Sequence, residues 1–573
     1  MTWQENFKHW DDFEDLDPTL REELDTLKED SEALEDAFYQ RIAFGTAGMR
    51  GLMGPGINRL NIYTVRLSTE GLARLMEDYG AEAKEAGVAI AYDGRHDSQR
   101  FAYESAAVLA KHGIPTYVYE SLRPTPELSF TVRELETFAG IMITASHNTA
   151  EYNGYKVYGA DGGQMTPEDA DALVAHTEGV DLLTIPSLSQ EELKSTDLLT
   201  IIGEELDQKY LARVAEVTID QDLVKEMGDQ VTIVYTPLHG TGQMPVSRAL
   251  DHAGFESVVF VDEQKNPDPD FTYAPDPNPE DAAAFEYAIK YGEAEAADIL
   301  LATDPDADRM GGAVRLPNGK YQILTGNQIG ALMTHYILQA KKEANDLPAN
   351  GVILKSIVSS DLPAKIAAAY GVETVNTLTG FKWIADKIKQ YQKDQSKTFL
   401  FGFEESYGYL VKPFVRDKDA VQAILLMSEM TAYYKKQGKT PYDGLQEIFQ
   451  EYGYFKEKTI SVKLPGQAGA AKIEQLMKGL REEPLKEIAG VQVKATSDFA
   501  DQTKTYADGK QESLDQAPSN VLKYELEDGT WIAVRPSGTE PKIKFYIGVE
   551  AENELAAQKA LDQYEAAMKE FTA

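Results

Sequence analysis

From about residue 44 onward, short aliphatic and β-branched runs alternate with stretches whose apolar positions recur at helical spacing. Val88-Ala89-Ile90-Ala91-Tyr92, Thr116-Tyr117-Val118-Tyr119 and Gly140-Ile141-Met142-Ile143 read as the first strands. This alternation predicts parallel α/β layers. A second set opens at Val231-Thr232-Ile233-Val234-Tyr235. A third begins near Leu324, with Val352-Ile353-Leu354, Val372-Glu373-Thr374-Val375 and Thr398-Phe399-Leu400-Phe401. The last region mixes strands (Ile460-Ser461-Val462, Trp531-Ile532-Ala533-Val534, Ile543-Lys544-Phe545-Tyr546) with a closing helix that carries Leu561, Tyr564 and Met568 on one face. Domains are therefore expected over 1–207, 208–323, 324–455 and 456–573. Ahead of them, Trp3, Phe7, Trp10 and Phe13 predict an amphipathic helix docked on the body. Asp17-Pro18 then predicts a capped second helix through Leu20, Leu24 and Leu27. The polar stretch Thr184 to Thr200 reads as a plain connection, and the proline-dense run from Asn266 to Pro279 as an extended surface loop.

A chain of 573 residues is too long for one core, so clefts between domains are expected. The 43% hydrophobic and 26% charged residues are ordinary globular values, but the net charge of −38 is not. Such acidity argues against nucleic-acid and anionic-membrane partners. It also requires any phosphate site to gather its cations locally. With no cysteine, disulfides, thiolate metal sites and cysteine catalysis are excluded. The first residues carry no basic and apolar leader, and no apolar run is long enough to span a membrane; a cytoplasmic chain is expected.

Four times an apolar strand ends in a conspicuous polar loop. The first delivers Ser146 from Ile141-Met142-Ile143-Thr144-Ala145 to what reads as an exposed turn, a place for a nucleophile or phosphate carrier. The second is Asp304-Pro305-Asp306-Ala307-Asp308-Arg309. Its alternate carboxylates would repel one another without a cation, and a hard divalent ion such as Mg²⁺ suits them. An EF-hand is excluded, because Arg309 and Arg315 stand where that loop needs glycine and glutamate. The third loop, Glu404-Glu405-Ser406, offers acceptors for sugar hydroxyls. The fourth, Arg535-Pro536-Ser537-Gly538-Thr539, offers a guanidinium fork, hydroxyls and free backbone N–H groups, a cradle for phosphate. Thr144 and Asn148 replace the glycines of a hydrolase elbow, Gly240-Thr241-Gly242 lacks the last glycine of a dinucleotide fingerprint, and Gly438-Lys439-Thr440 lacks a Walker glycine. His147, beside the serine, reads as a hydrogen-bonding loop residue that is also placed to act in catalysis.

These loops, in this order, together with Phe44 to Gly51, Tyr92-Asp93-Gly94-Arg95, Asn153-Gly154-Tyr155-Lys156 and Thr379-Gly380-Phe381-Lys382, closely resemble the α-D-phosphohexomutase superfamily, in its bacterial α-phosphoglucomutase branch. The resemblance runs over essentially the whole chain. It implies an α/β protein of four domains in a heart-shaped arrangement around a central cleft, three similar and the last a distinct α+β domain. It also implies interconversion of glucose 1-phosphate and glucose 6-phosphate through a phosphoserine at Ser146 and glucose 1,6-bisphosphate. Asp304, Asp306 and Asp308 would bind Mg²⁺ with a phosphoserine oxygen, and Arg50, His147, Lys156 and Arg309 would line the transfer site, with Lys156 as the base. Glu404 and Ser406 would hold sugar hydroxyls, with Thr379, Gly380 and Lys382 near the substrate. Arg535, Ser537, Gly538, Thr539 and Lys544 would hold the phosphate that is not transferred. Sugar phosphates would be the only partners, and the chain a monomer or weak homodimer. A phosphopentomutase, a phosphomannomutase and a non-catalytic sugar-phosphate binder stay open as alternatives. The family commonly has proline at Thr149 and glycine at Pro305; these departures would loosen the serine loop and stiffen the metal loop.

Overall fold

The computed structural model describes residues 2–45, 48–464, 466–537 and 542–571. It separates into two compact units. One comprises Met1–Leu324 with Ala385–Gln390 and Ser406–Thr440; the other comprises Thr325–Ile384, Tyr391–Glu405 and Pro441–Ala573.

The first unit holds two sheets. In one, Val88–Tyr92 lies between Thr116–Tyr119 and Ala139–Ile143, all parallel, and Leu199–Ile202 joins at the edge beyond Thr116–Tyr119. Val88–Tyr92 and Ala139–Ile143 are buried at every position, which is why both read as unbroken apolar runs rather than alternating ones. The chain then reverses. Tyr152–Gly159 returns antiparallel to Ala139–Ile143 and pairs in turn with Gly48–Leu52. This reversal requires glycine at 154, where a Cβ would stand 2.3 Å from the Thr144 carbonyl oxygen. The second sheet runs Tyr321–Ile323, Met310–Arg315, Ile299–Thr303, Thr232–Thr236, Ser257–Phe260, so the triple-aspartate loop links two antiparallel neighbours at its centre.

The amino-terminal helices Trp3–Asp11, Pro18–Leu27 and Ser31–Phe38 belong to the core of this unit. Trp10 is fully buried with its ring edge-on to Phe38 and Tyr63. Asp17 caps the second helix, accepting from the backbone N–H groups of Thr19 and Leu20. The stretch from Thr184 to Thr200 is more than a connection: it contains the helix Gln190–Ser195 and the start of the edge strand Leu199–Ile202. Its signal was a capping box, with Ser189 and Glu192 each bonding the other's backbone N–H.

In the second unit Gly351–Ser356 lies between Glu373–Thr377 and Thr398–Glu404, all parallel. An antiparallel sheet follows in the order Tyr454–Lys463, Lys542–Ala551, Trp531–Pro536, Leu522–Leu526, Val491–Asp498, Thr503–Tyr506, Gln511–Ser513. The closing helix Glu554–Glu570 packs Leu561, Tyr564 and Met568 into the same core. Among the described residues no helix is long and apolar enough to cross a membrane.

Candidate active site

Ser146 sits just past the carboxyl end of Ala139–Ile143 in the left-handed region, at φ 53°. The turn is held locally, because the Ser146 N–H donates to Thr144 Oγ1 at 2.8 Å. The expected exposure is not found: Ser146 is only 2% exposed. The aspartate loop covers it, and its Oγ donates to Asp304 Oδ2 at 2.8 Å. His147 Nδ1 lies 3.2 Å from the same Oγ. Burial, followed by the charges of Arg309 and Arg50, holds the His147 imidazole well below its ordinary pKa, so the ring is neutral. Arg50 reaches the loop from the strand Gly48–Leu52 and donates to Asn148 Oδ1 at 2.9 Å.

Asp304, Asp306 and Asp308 are all buried, and each can place an oxygen within 4.8 Å of the others. Asp304 Oδ1 accepts from the backbone N–H groups of Asp308 and Arg309 at 3.1 and 3.0 Å, which curls the loop around it. Asp306 Oδ2 accepts from Thr125 Oγ1 and Lys156 Nζ, each at 2.8 Å. Asp308 Oδ2 faces Lys418 Nζ at 3.0 Å, and Lys418 also bonds Asp417 at 2.9 Å. Two lysines thus serve as counter-ions, and they split the carboxylates. Burial and the charges of Asp306 and Asp308 push the Asp304 carboxyl well up; for Asp306, burial is outweighed by Lys156, which holds it well down. Arg309 pairs with Glu280 at 2.9 Å. The donor set fits a hard divalent cation. Asp306 Oδ1 and Asp308 Oδ1 are buried with no hydrogen-bond partner among the described residues, a costly state for carboxylate oxygens unless they are metal ligands.

The loop is fixed from behind by Gly240-Thr241. Thr241 donates its N–H and hydroxyl to the Pro305 carbonyl at 2.8 and 3.0 Å, and a Cβ on residue 240 would meet Pro305 Cα at 2.4 Å. The glycines that fail as a dinucleotide fingerprint therefore have a packing reason.

In the second unit, Glu404 is buried at the end of Thr398–Glu404, and its Oε1 accepts from the Gly380 N–H at 2.7 Å. Glu405 is gripped by Ser356 Oγ and Ser359 Oγ at 2.9 and 3.1 Å. Thr379 Oγ1 is buried without a hydrogen-bond partner among the described residues. Burial, with the charge of Arg535 second, lowers the Lys382 ammonium to about 8. Arg535 and Lys544 are register partners on adjacent strands, and the Ser537 N–H donates to the Lys542 carbonyl at 2.7 Å. Gly538 and Thr539 lie outside the described residues. Ser406 opens the last stretch of the first unit, one residue before Tyr407, whose carbonyl accepts from the Met310 N–H at 3.0 Å beside the aspartate loop.

The chain matches four domain families described as Phosphoglucomutase/phosphomannomutase, alpha/beta/alpha domain I over residues 41–183, domain II over 208–317, domain III over 325–452 and C-terminal domain over 471–564. A protein named Phosphoglucomutase from Staphylococcus haemolyticus is 38% identical over 91% of this chain and 92% of its own length. The chain belongs to the phosphoglucomutase/phosphomannomutase family. A second Phosphoglucomutase, from Staphylococcus aureus, is 39% identical over 90% of this chain and 91% of its own. Among solved structures, a putative phosphomannomutase from Thermus thermophilus superposes with a TM-score of 0.66 at 21% identity, covering 93% of this chain and 99% of that one. The open form of parafusin from Paramecium gives 0.66 at 18% identity, over 92% and 96%. This member is an α-D-phosphohexomutase, an isomerase that moves a phosphoryl group, built from three α/β domains and a distinct carboxyl-terminal one.

Thr125, Asp417 and Lys418 of this phosphohexomutase escaped the sequence reading. Thr125 opens the helix Thr125–Glu134, and its N–H and hydroxyl both bond Asp306. Its one signal was proline on either side, marking a helix start. Lys418 lies in a loop 110 positions from Asp308, and no local pattern joins them.

Proposed function

We propose that this phosphohexomutase interconverts α-D-glucose 1-phosphate and glucose 6-phosphate, with Ser146 as phosphoryl carrier and glucose 1,6-bisphosphate as the intermediate that also activates it. The observation that carries this reading is Ser146 Oγ, held 2.8 Å from Asp304 at the mouth of a buried carboxylate trio, two of whose oxygens accept no hydrogen bond among the described residues. The two staphylococcal relatives named Phosphoglucomutase support glucose as the sugar. Mg²⁺ on Asp304, Asp306 and Asp308 would offset the roughly −1.5 to −2 charge of a phosphoserine.

A sugar hydroxyl attacks phosphorus; the new P–O bond forms as the bond to Ser146 Oγ breaks. The hydroxyl gives up one proton and Oγ gains one. His147 Nδ1 faces Oγ at 3.2 Å, whereas Lys156 is paired with Asp306. The two ends of the proton's path thus have separate partners, and Lys156, the base implied by the family motif, first neutralises charge. Arg50 and Arg309 add donors for the equatorial oxygens, where most of the stabilisation in phosphoryl transfer is needed. The bisphosphate then offers its other phosphate to Oγ, which recovers a phosphoryl group. Glu404 and Ser406 would hold sugar hydroxyls in either orientation, Thr379, Gly380 and Lys382 would line the substrate, and Arg535, Ser537, Gly538, Thr539 and Lys544 would hold the resting phosphate. One of the four loops falls in each of 1–207, 208–323, 324–455 and 456–573, which we take as the domains.

Rates on the 1-phosphates of glucose, mannose and ribose, each with Mg²⁺ and the matching bisphosphate, test the substrate. Glucose is expected to lead in kcat/KM by at least about tenfold. A higher value on mannose or ribose overturns the assignment, and ligand binding without turnover overturns catalysis altogether.

Lys382 gives a pH prediction. Its pKa is lowered to about 8, so the ammonium that attracts phosphate is present below that pH and lost above it. kcat/KM reports the free enzyme and should fall as pH rises through about 8. In Lys382→Arg that alkaline limb should disappear from the range up to about pH 10, since guanidinium stays charged. An unchanged limb in the arginine variant would remove Lys382 from the substrate site.

A further inference from the structure

Arg95 follows the strand Val88–Tyr92, and its side chain is completely buried. A guanidinium carries five N–H donors in one plane, and here all five are used. Nε donates to Asp93 Oδ2 at 3.1 Å. Nη2 donates to the carbonyls of Ser146 and Asn148 at 2.6 and 2.5 Å. Nη1 donates to those of Thr149 and Tyr152 at 2.8 and 3.1 Å. One side chain therefore gathers four carbonyls of the turn that carries Ser146. Asp93 is itself fixed, since its Oδ1 accepts from the Arg95 N–H at 3.0 Å and from Ser98 Oγ at 2.7 Å.

The face of the guanidinium has no donors, and it is covered. The ring centroid of Phe271 lies 4.8 Å from Arg95 Cζ. Phe271 comes from the proline-dense loop between the second sheet's elements; it is 2% exposed and adopts φ 48°, a conformation a bulky residue takes only when its surroundings impose it. A ring over a desolvated cation both attracts it and excludes the water that would compete for its donors.

One of the carbonyls that Arg95 holds is that of Ser146 itself, and Ser146 is left-handed. A free chain leaves that region readily, and Oγ would move away from Asp304 when it did. We propose that Arg95, capped by Phe271, is the positioning residue that holds Ser146 Oγ on line for phosphoryl transfer. This rests on the reading of Ser146 as the phosphoryl carrier. Arg95 touches no reacting atom; it acts through the backbone of the turn.

The test compares the native protein with Arg95→Lys and Phe271→Leu, all with Mg²⁺ bound. Lysine keeps the charge beside Asp93 but cannot span four carbonyls; leucine stays apolar in most of the same space but has no π face. Steady-state kinetics on glucose 1-phosphate with saturating glucose 1,6-bisphosphate give kcat and KM, and intact mass follows loss of the phosphoryl group to water without sugar. Arg95→Lys is expected to lose about 100-fold or more in kcat with KM within about threefold, the pattern of misplacement rather than lost binding. Phe271→Leu is expected to lose about fivefold to twentyfold in kcat while remaining folded at the assay temperature with a modestly lowered melting temperature, and both variants should lose phosphoryl groups to water faster. A folded Arg95→Lys with kcat within threefold of native overturns the proposal. Should that variant not fold, Phe271→Leu decides by the same measure. A native protein that turns over without ever acquiring a phosphoryl group overturns the reading of Ser146 itself, a failure visible before any variant is made.

Discussion

Replacing Ser146 with alanine is expected to lower mutase activity by at least about 10⁴-fold while leaving the chain folded, because alanine has no oxygen to carry the phosphoryl group. The structural effect should be small. Alanine at φ 53° is no worse placed than serine, and one hydrogen bond to Asp304 is lost, worth about 1 kcal/mol. Asp304 Oδ1 keeps its two backbone N–H donors from Asp308 and Arg309, so the carboxyl left behind is not stripped of partners. The measurement pairs a coupled assay with intact mass after exposure to glucose 1,6-bisphosphate. The native chain should gain one phosphoryl group and the alanine variant none. Activity above about 1% of native in the variant would mean that phosphate travels by another route.

Removing divalent metal should also depress activity strongly, and it should have the opposite kind of effect on one variant's stability. With a chelator present, turnover should fall by more than about 100-fold and return on adding Mg²⁺. Asp308→Asn should be inactive to a comparable degree, yet in chelator it should melt at or above the temperature of the native chain. The substitution removes a buried carboxylate crowded against two other carboxyls, and Lys418 keeps its partner Asp417 at 2.9 Å. Adding Mg²⁺ should invert the order, since only a chain that binds the ion gains RT ln(1 + [L]/Kd). Equal upward shifts in both proteins, measured by calorimetry, would show that the stabilising ion sits elsewhere. An active chelated enzyme would show that the trio is structural.

The functional loops were legible because each terminates a strand too apolar to be mistaken for anything else. Val88-Ala89-Ile90-Ala91-Tyr92 forms a strand with those same limits, and Asp304 follows directly on Ile299–Thr303. Chemistry placed at a strand end is local in sequence, so it can be read there. The supports were not local. Lys418 reaches Asp308, Thr125 reaches Asp306 and Arg95 gathers the carbonyls of the serine turn, each from a loop or helix end that only tertiary folding brings there. The burial of Ser146 was missed for the same reason: its turn is polar and short, and the cover comes from residues about 160 positions later. The helix Gln190–Ser195 was a different error, a weak periodic pattern that hid a clear capping box.

Gly240 has a wider consequence. The atoms its missing side chain avoids are the Cα, carbonyl carbon and oxygen of Pro305, all main chain. No exchange of side chain at 305 can make room for a Cβ at 240, so residue 305 can change its side chain while its neighbour at 240 cannot gain one. A position with no functional group of its own thereby sets the backbone path of the aspartate loop, and no compensating substitution at 305 can release it.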